Sequence, residues 1–187
     1  MNKIFKQLLA ATGMAFLLSS CGSNSKPFEK VSTAGEEWLN ALCKSPTDEE
    51  SSREKLCQAI QELEGMEIET EVVDVPGMTL KKAFTVDAVK DNTIRLSLEA
   101  TTSIDEAVQT SSLAAIGYDG DKPIYYLKPY IQTRGDDIVL SVTLMESALC
   151  FLPEVQAIKD IDKIVITADT ELIERMQEAK KALRGYR

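Results

Sequence analysis

The sequence predicts an α+β domain in which an N-terminal helical hairpin and a C-terminal helix cover one face of an antiparallel β-sheet. Apolar residues recur at three- and four-residue steps over residues 28–64 and again over 169–184, whereas they alternate with polar residues in several runs between 65 and 168. A sheet with one apolar face needs helices to cover that face. We therefore predict a single domain over residues 28–187.

The hairpin is predicted from two helical runs. The first extends from Phe28 to Lys44, and its apolar stripe includes Trp38, which we expect to be buried. Two capping-box patterns, Thr47 to Glu50 and Ser51 to Glu54, precede a second run that stops at Gly65. These residues should pack as two antiparallel helices.

Runs of alternating apolar and polar residues then predict the strands. They lie near residues 67–72, 84–88, 93–102, 113–118, 124–132, 138–145 and 163–168. A short helix should open at Ser103, and residues 149–160 form an apolar segment, interrupted by Pro153, that is compatible with another. Asp169 is expected to cap the final helix.

The first 20 residues have the pattern of a cleaved export signal. Lys3 and Lys6 supply a positively charged start, which orients the segment that follows in a membrane. The apolar run from 8 to 18 is shorter than the roughly 20 residues that a permanent membrane-spanning helix needs. We therefore predict that this leader is removed.

The leader ends in Leu18-Ser19-Ser20-Cys21, which resembles the lipobox of bacterial lipoproteins. The resemblance covers residues 1–21 only. It implies that Cys21 becomes the first residue and carries a thioether-linked diacylglycerol, with further acylation such as palmitate on its amino group. Two or more chains, at about 0.8 kcal/mol per buried methylene, give stable anchoring. The alternative is an ordinary secretory signal with a cysteine beside its cleavage site.

Residues 21–27 are small and polar, so we expect a flexible tether. Gly22 follows the modified cysteine, and it is not the Asp that in many Gram-negative lipoproteins retains the protein at the inner membrane. The resemblance therefore implies an outer-membrane location facing the periplasm, with the membrane as a partner through the lipid on Cys21.

Charge and composition exclude several classes of function. Without residues 1–20 the chain holds 19 basic and 30 acidic residues, a net charge of −11, which repels nucleic-acid phosphates. The chain contains no histidine, which removes the commonest general base, the Ser-His and Cys-His nucleophile pairs and nearly all catalytic zinc sites. No acid stands in an apolar run that must be buried. We predict no cofactor, no metal and no catalysis.

Three cysteines remain once Cys21 is modified. Cys43 and Cys57 lie on apolar faces of adjacent predicted helices, and an extracytoplasmic location permits their pairing as a disulfide, with Cys150 left as a buried thiol. The pairing needs the second helix to begin near Ser51, because a start at Thr47 would place Cys57 roughly 15 Å from the turn. Three separate thiols are the alternative.

Acidic turns and a tyrosine cluster are the remaining candidates. The pairs in Asp119-Gly120-Asp121, Asp136-Asp137 and Asp160-Ile161-Asp162 lack the other ligands of a calcium loop, which favours plain turns. The tyrosines of one predicted hairpin could form an exposed patch that binds a glycan or a protein, with packing within the sheet as the alternative. They are Tyr118, Tyr125 and Tyr130, while the adjacent Tyr126 must face away from Tyr125.

The sequence therefore predicts a lipid-anchored lipoprotein of the cell envelope whose domain is a non-catalytic binding or interaction module. Its partner would be an unknown protein or glycan. The alternative function is a carboxylate-dependent envelope hydrolase acting on glycans, which needs two acids about 5 to 10 Å apart in a concave site.

Overall fold

The computed structural model describes residues 26–42, 44–87, 94–102, 113–135, 137–144 and 152–185. These residues form four helices and eight strands. In chain order the elements are α1 (Glu29–Ala41), α2 (Pro46–Gln61), β1 (Glu67–Val73), β2 (Met78–Asp87), β3 (Ile94–Thr102), β4 (Ala114–Asp119), β5 (Lys122–Leu127), β6 (Pro129–Arg134), β7 (Asp137–Leu144), α3 (Leu152–Lys159), β8 (Lys163–Thr167) and α4 (Thr170–Leu183). The predicted α+β class and the C-terminal helix are confirmed.

Helices α1 and α2 pack against each other as the predicted hairpin. Phe28 and Val31 are fully buried, and Trp38 is buried as expected. Helix α2 begins earlier than either predicted capping box, because the Ser45 side chain accepts a hydrogen bond from the Asp48 amide at 3.2 Å and proline occupies the first helical position. A serine followed by proline was the stronger start signal.

The eight strands form one sheet in the order β5-β4-β8-β1-β2-β3-β7-β6. Neighbouring strands are antiparallel, as predicted, except β1 and β8, which pair in parallel over Glu69↔Lys163 to Val73↔Thr167. Strand β8 therefore inserts between β1 and β4. A parallel pair needs a long crossover, and here the 89 residues from 74 to 162 separate the two strands.

The sheet curls, so that its two edge strands, β5 and β6, lie close together. Strand β5 ends at Leu127 and β6 begins at Pro129, so that Lys128 alone separates them, and β5 also approaches β7. The sequence predicts one strand over residues 124–132. The structure divides this run, because the first part pairs with β4 and the second with β7.

Most of the apolar core lies on one face of the sheet. Its largest fully buried members are Phe28, Leu56, Ile68, Phe84, Ile94, Leu96, Leu98, Tyr125, Leu127 and Leu140. A smaller cluster forms on the other face, where Met176 of α4 packs on Ala114 and Ile116 of β4. Ala115 lies between these two residues and faces the main core, because neighbouring strand residues point to opposite faces. Helix α4 therefore packs on the face of the sheet opposite the main core. Helix α4 thus adds a second apolar contact with the sheet, on the face opposite the predicted layer of helices.

Several predictions fall outside the described residues. They concern the leader, Cys21, residues 22–25, Cys43, the helix at Ser103, Asp136 and Cys150. Within the described part of the chain, no helix is both long enough and apolar enough to cross a membrane.

Candidate functional site

The predicted tyrosine patch does not form. Tyr125 is 1 % exposed and faces the main core, Tyr118 is half-buried in the smaller cluster on the other face, and Tyr130 is 67 % exposed on β6. Tyr126 is half-buried with Tyr118. Strand alternation separates Tyr125 from its neighbours, and the packing of α4 on β4 then covers part of the second face. Of the three predicted tyrosines, Tyr130 alone has a largely exposed ring.

Two acidic turns that the sequence treats separately meet in the structure. The amino group of Lys26 lies 3.1 Å from an Asp119 carboxylate oxygen and 2.9 Å from one of Asp160. Asp162 accepts a hydrogen bond from the Gly120 amide at 2.8 Å. We call Lys26, Asp119, Asp160 and Asp162 the N-terminal junction, because they fasten the first described residue to the β4–β5 turn and to the loop between α3 and β8.

The loop between α3 and β8 can approach β4 because residue 117 is glycine. A methyl group built on Gly117 would lie 2.7 Å from Cδ1 and 2.8 Å from Cγ1 of Ile161, which is fully buried. The Asp162 amide donates to the Tyr118 carbonyl at 2.9 Å beside this contact. The close approach therefore places Asp160 and Asp162 within reach of Lys26 and Gly120.

The junction holds Lys26 in its charged form. Hydrogen bonds to Asp160 and then to Asp119 raise the pKa of the Lys26 ammonium above its ordinary value. The sequence assigns residues 21–27 to a flexible tether, but Lys26 is ion-paired and Pro27 is half-buried. The folded part of the chain therefore includes Lys26 and Pro27, the two residues before the predicted boundary.

Asp119 and Asp160 are two carboxylates close enough for a glycosidase pair, since both bind one nitrogen. Their environment does not suit that chemistry. Both side chains are about half exposed, and both are ion-paired with the single Lys26 ammonium, whereas a general acid needs a buried carboxyl. Within the described residues, no three acids or cysteines converge as a metal site would require.

A fully buried acid exists elsewhere, at Glu154 on α3. Its Oε2 accepts a hydrogen bond from the Tyr125 hydroxyl at 3.0 Å, and its two oxygens bind the Arg184 guanidinium through Nε and Nη2. The expectation that no acid lies in a buried apolar run is wrong here. The signal was present, because Glu154 stands among Phe151, Leu152 and Val155.

Lys180 completes this cluster from α4. Its amino group lies 4.5 Å from the Tyr125 ring centroid and donates to the Tyr126 carbonyl at 3.0 Å. Burial lowers the pKa of Lys180, while burial and the Glu154 charge raise the pKa of Tyr125. A carboxylate that is 0 % exposed, with both oxygens bound to protein, is not accessible to a substrate in this arrangement. We interpret this cluster, called the Glu154 latch below, as a structural tie between α3, β5 and α4.

Replacing Tyr125 with Phe tests the latch directly. We expect the free energy of unfolding to fall by about 1–2 kcal/mol, because the Glu154 carboxylate loses a donor that water cannot replace at a buried site. Tyr130→Phe is the matched control, since that ring is exposed, and it should change stability little. Urea unfolding measures both, and equal effects would contradict a role for the Tyr125 hydroxyl.

The α1–α2 hairpin carries two shallow grooves on either side of an ion pair between Glu37 and Lys55, which approach to 3.0 Å. One groove, of about 370 Å³, is lined largely by polar side chains such as Asn40, Asp48 and Ser52. Ligand sites are mainly apolar and enclosed. These grooves therefore do not indicate a small-molecule site.

One of the two cysteines of the predicted disulfide lies in the described part of the chain. Cys57 is half-buried on α2, which begins at Pro46 rather than near Ser51. Cys43 lies outside the described residues. The pairing of Cys43 with Cys57 therefore stays a prediction, with separate thiols as the alternative.

Comparison with protein-family models, with curated proteins and with solved structures finds no match for this chain.

Proposed function

We propose that this protein is a lipid-anchored lipoprotein of the cell envelope whose folded domain is a non-catalytic binding or interaction module. The observation that carries the proposal is Leu18-Ser19-Ser20-Cys21 after a basic and apolar leader. The lipid on Cys21 would hold the domain at the membrane. We propose that the domain lies on the periplasmic side of the outer membrane.

The start of the fold supports an anchor at Cys21. Lys26, which is bound into the N-terminal junction, lies five residue steps after Cys21. However these residues are arranged, they span at most roughly 18 Å, so acyl chains on Cys21 would keep the domain close to the bilayer. No second membrane contact is required for this arrangement.

The state of the acids supports a non-catalytic module over the hydrolase alternative. The exposed pair, Asp119 and Asp160, is occupied by Lys26, and the buried acid, Glu154, is bound by Arg184 and Tyr125. Neither arrangement supplies a buried acid facing a second free carboxylate. The partner of the module would be a protein or a glycan of the envelope.

Substitution of Cys21 by Ala tests the anchor. We expect complete loss of labelled palmitate and release of the protein from membranes into the soluble fraction, because the acyl chains are the membrane contact. Cys57→Ala is the matched control, and it should keep both the label and the membrane fraction. Palmitate on the Cys21→Ala chain, or loss of the label from Cys57→Ala, would contradict the assignment of the lipid to Cys21.

A further inference from the structure

The N-terminal junction lies at one end of the strands in its part of the sheet. Lys163, at the start of β8, pairs with Tyr118 beside the junction, and Thr167, at the end of β8, pairs with Val73 before the β1–β2 turn. Four residue steps along β8 place Lys163 and Thr167 about 13 Å apart. Asp121 lies beyond Tyr118 at one end, and Pro76 lies beyond Val73 at the other. The β4–β5 turn and the β1–β2 turn are therefore more than about 13 Å apart.

Lys26, the first described residue and here called the exit point, is fixed at this end. Lys26 is bound to Asp119 of the β4–β5 turn, and the Lys26 carbonyl accepts a hydrogen bond from the Glu29 amide at 3.1 Å. Phe28, two residues later, is fully buried. The exit point therefore cannot shift to another part of the surface without breaking both the ion pairs and a core contact.

The length of the tether then limits the orientation of the domain. A domain of this size is about 40 Å across, whereas the chain from Cys21 to Lys26 reaches at most roughly 18 Å. To turn the β1–β2 end toward the bilayer, the domain would have to place Lys26 on its far side, beyond the reach of the tether.

From this geometry we infer that the N-terminal junction and the β4–β5 turn form the surface that faces the lipid headgroups, and that the β1–β2 turn with Pro76 faces away. The inference depends on the proposed lipid anchor. It goes beyond that anchor, because it assigns the membrane-facing surface of the folded domain.

The test uses the lipidated protein in phospholipid vesicles that contain headgroup-nitroxide lipids as quenchers. A thiol-reactive fluorophore is attached to Asp121→Cys or to Pro76→Cys, both of which are exposed positions, and the labelled unsubstituted chain gives the contribution of the native thiols. We expect the quenching of the probe at 121 to exceed the quenching of the probe at 76 by about twofold or more, because the two positions are well separated along the strands.

Insertion of 20 Gly and Ser residues after Gly22 is the control, since it raises the maximal reach to roughly 90 Å and should equalise the two probes. Equal quenching with the native tether would overturn the orientation, and so would unequal quenching that survives the insertion. If no variant sediments with the vesicles, the lipid anchor itself is wrong, which separates the two failures.

Discussion

Replacing Arg184 with Met is expected to lower the free energy of unfolding by about 3–5 kcal/mol. Glu154 is 0 % exposed, and the guanidinium of Arg184 binds both of its oxygens. Removing the cation leaves a buried carboxylate with the Tyr125 hydroxyl and the nearby Lys180 ammonium as its remaining described neighbours. Urea unfolding followed by circular dichroism measures the loss.

The two partners of this pair should not be equivalent. Glu154→Gln leaves Arg184 with a side chain 30 % exposed, so its charge can turn to water, and we expect a loss of about 1–2 kcal/mol. The double variant should be more stable than Arg184→Met alone, because the uncompensated buried charge is gone. A larger loss in the free energy of unfolding from Glu154→Gln than from Arg184→Met would contradict the view that the buried charge of Glu154 determines the energetics of the latch.

The sequence was sufficient for the elements whose apolar residues follow a single period. Strand β3, with Leu96, Leu98 and Ala100 all fully buried, is an example. It was not sufficient for the position of β8, because the five side chains of a strand alternate between the two faces in the same way beside a parallel or an antiparallel neighbour. The pairing of β8 depends on which strands, distant in sequence, have an edge available for hydrogen bonding. The periodicity of apolar residues in β8 does not specify those strands.

The candidate site shows the same limit. Asp119 and Asp160 each follow the pattern of an ordinary turn, and nothing in either segment indicates that the other lies beside it or that Lys26 joins them. Glu154 could have been found, since it follows a proline in an apolar run. Its partner Arg184 could not, because charged residues near the end of a helix are common for electrostatic reasons alone.

The close approach of Ile161 to Gly117 leads to the second large effect. Gly117→Ala should lower the free energy of unfolding by about 1–3 kcal/mol, because the new methyl group overlaps a fully buried side chain that has little room to move. Gly120→Ala is the matched control: it lies in the same hairpin in open space, and its φ of 59° makes it a test of backbone strain alone.

A double-mutant cycle separates overlap from general damage to β4. Ile161→Ala removes the three atoms nearest to a methyl group at 117, so the double variant should be more stable than the sum of the two single losses predicts. The overlap also pushes on the loop that carries Asp160 and Asp162, so Gly117→Ala should release Lys26 from the N-terminal junction. Additive losses, or an undisturbed Lys26 resonance in the NMR spectrum of Gly117→Ala, would show that the loop does not depend on the glycine for its position.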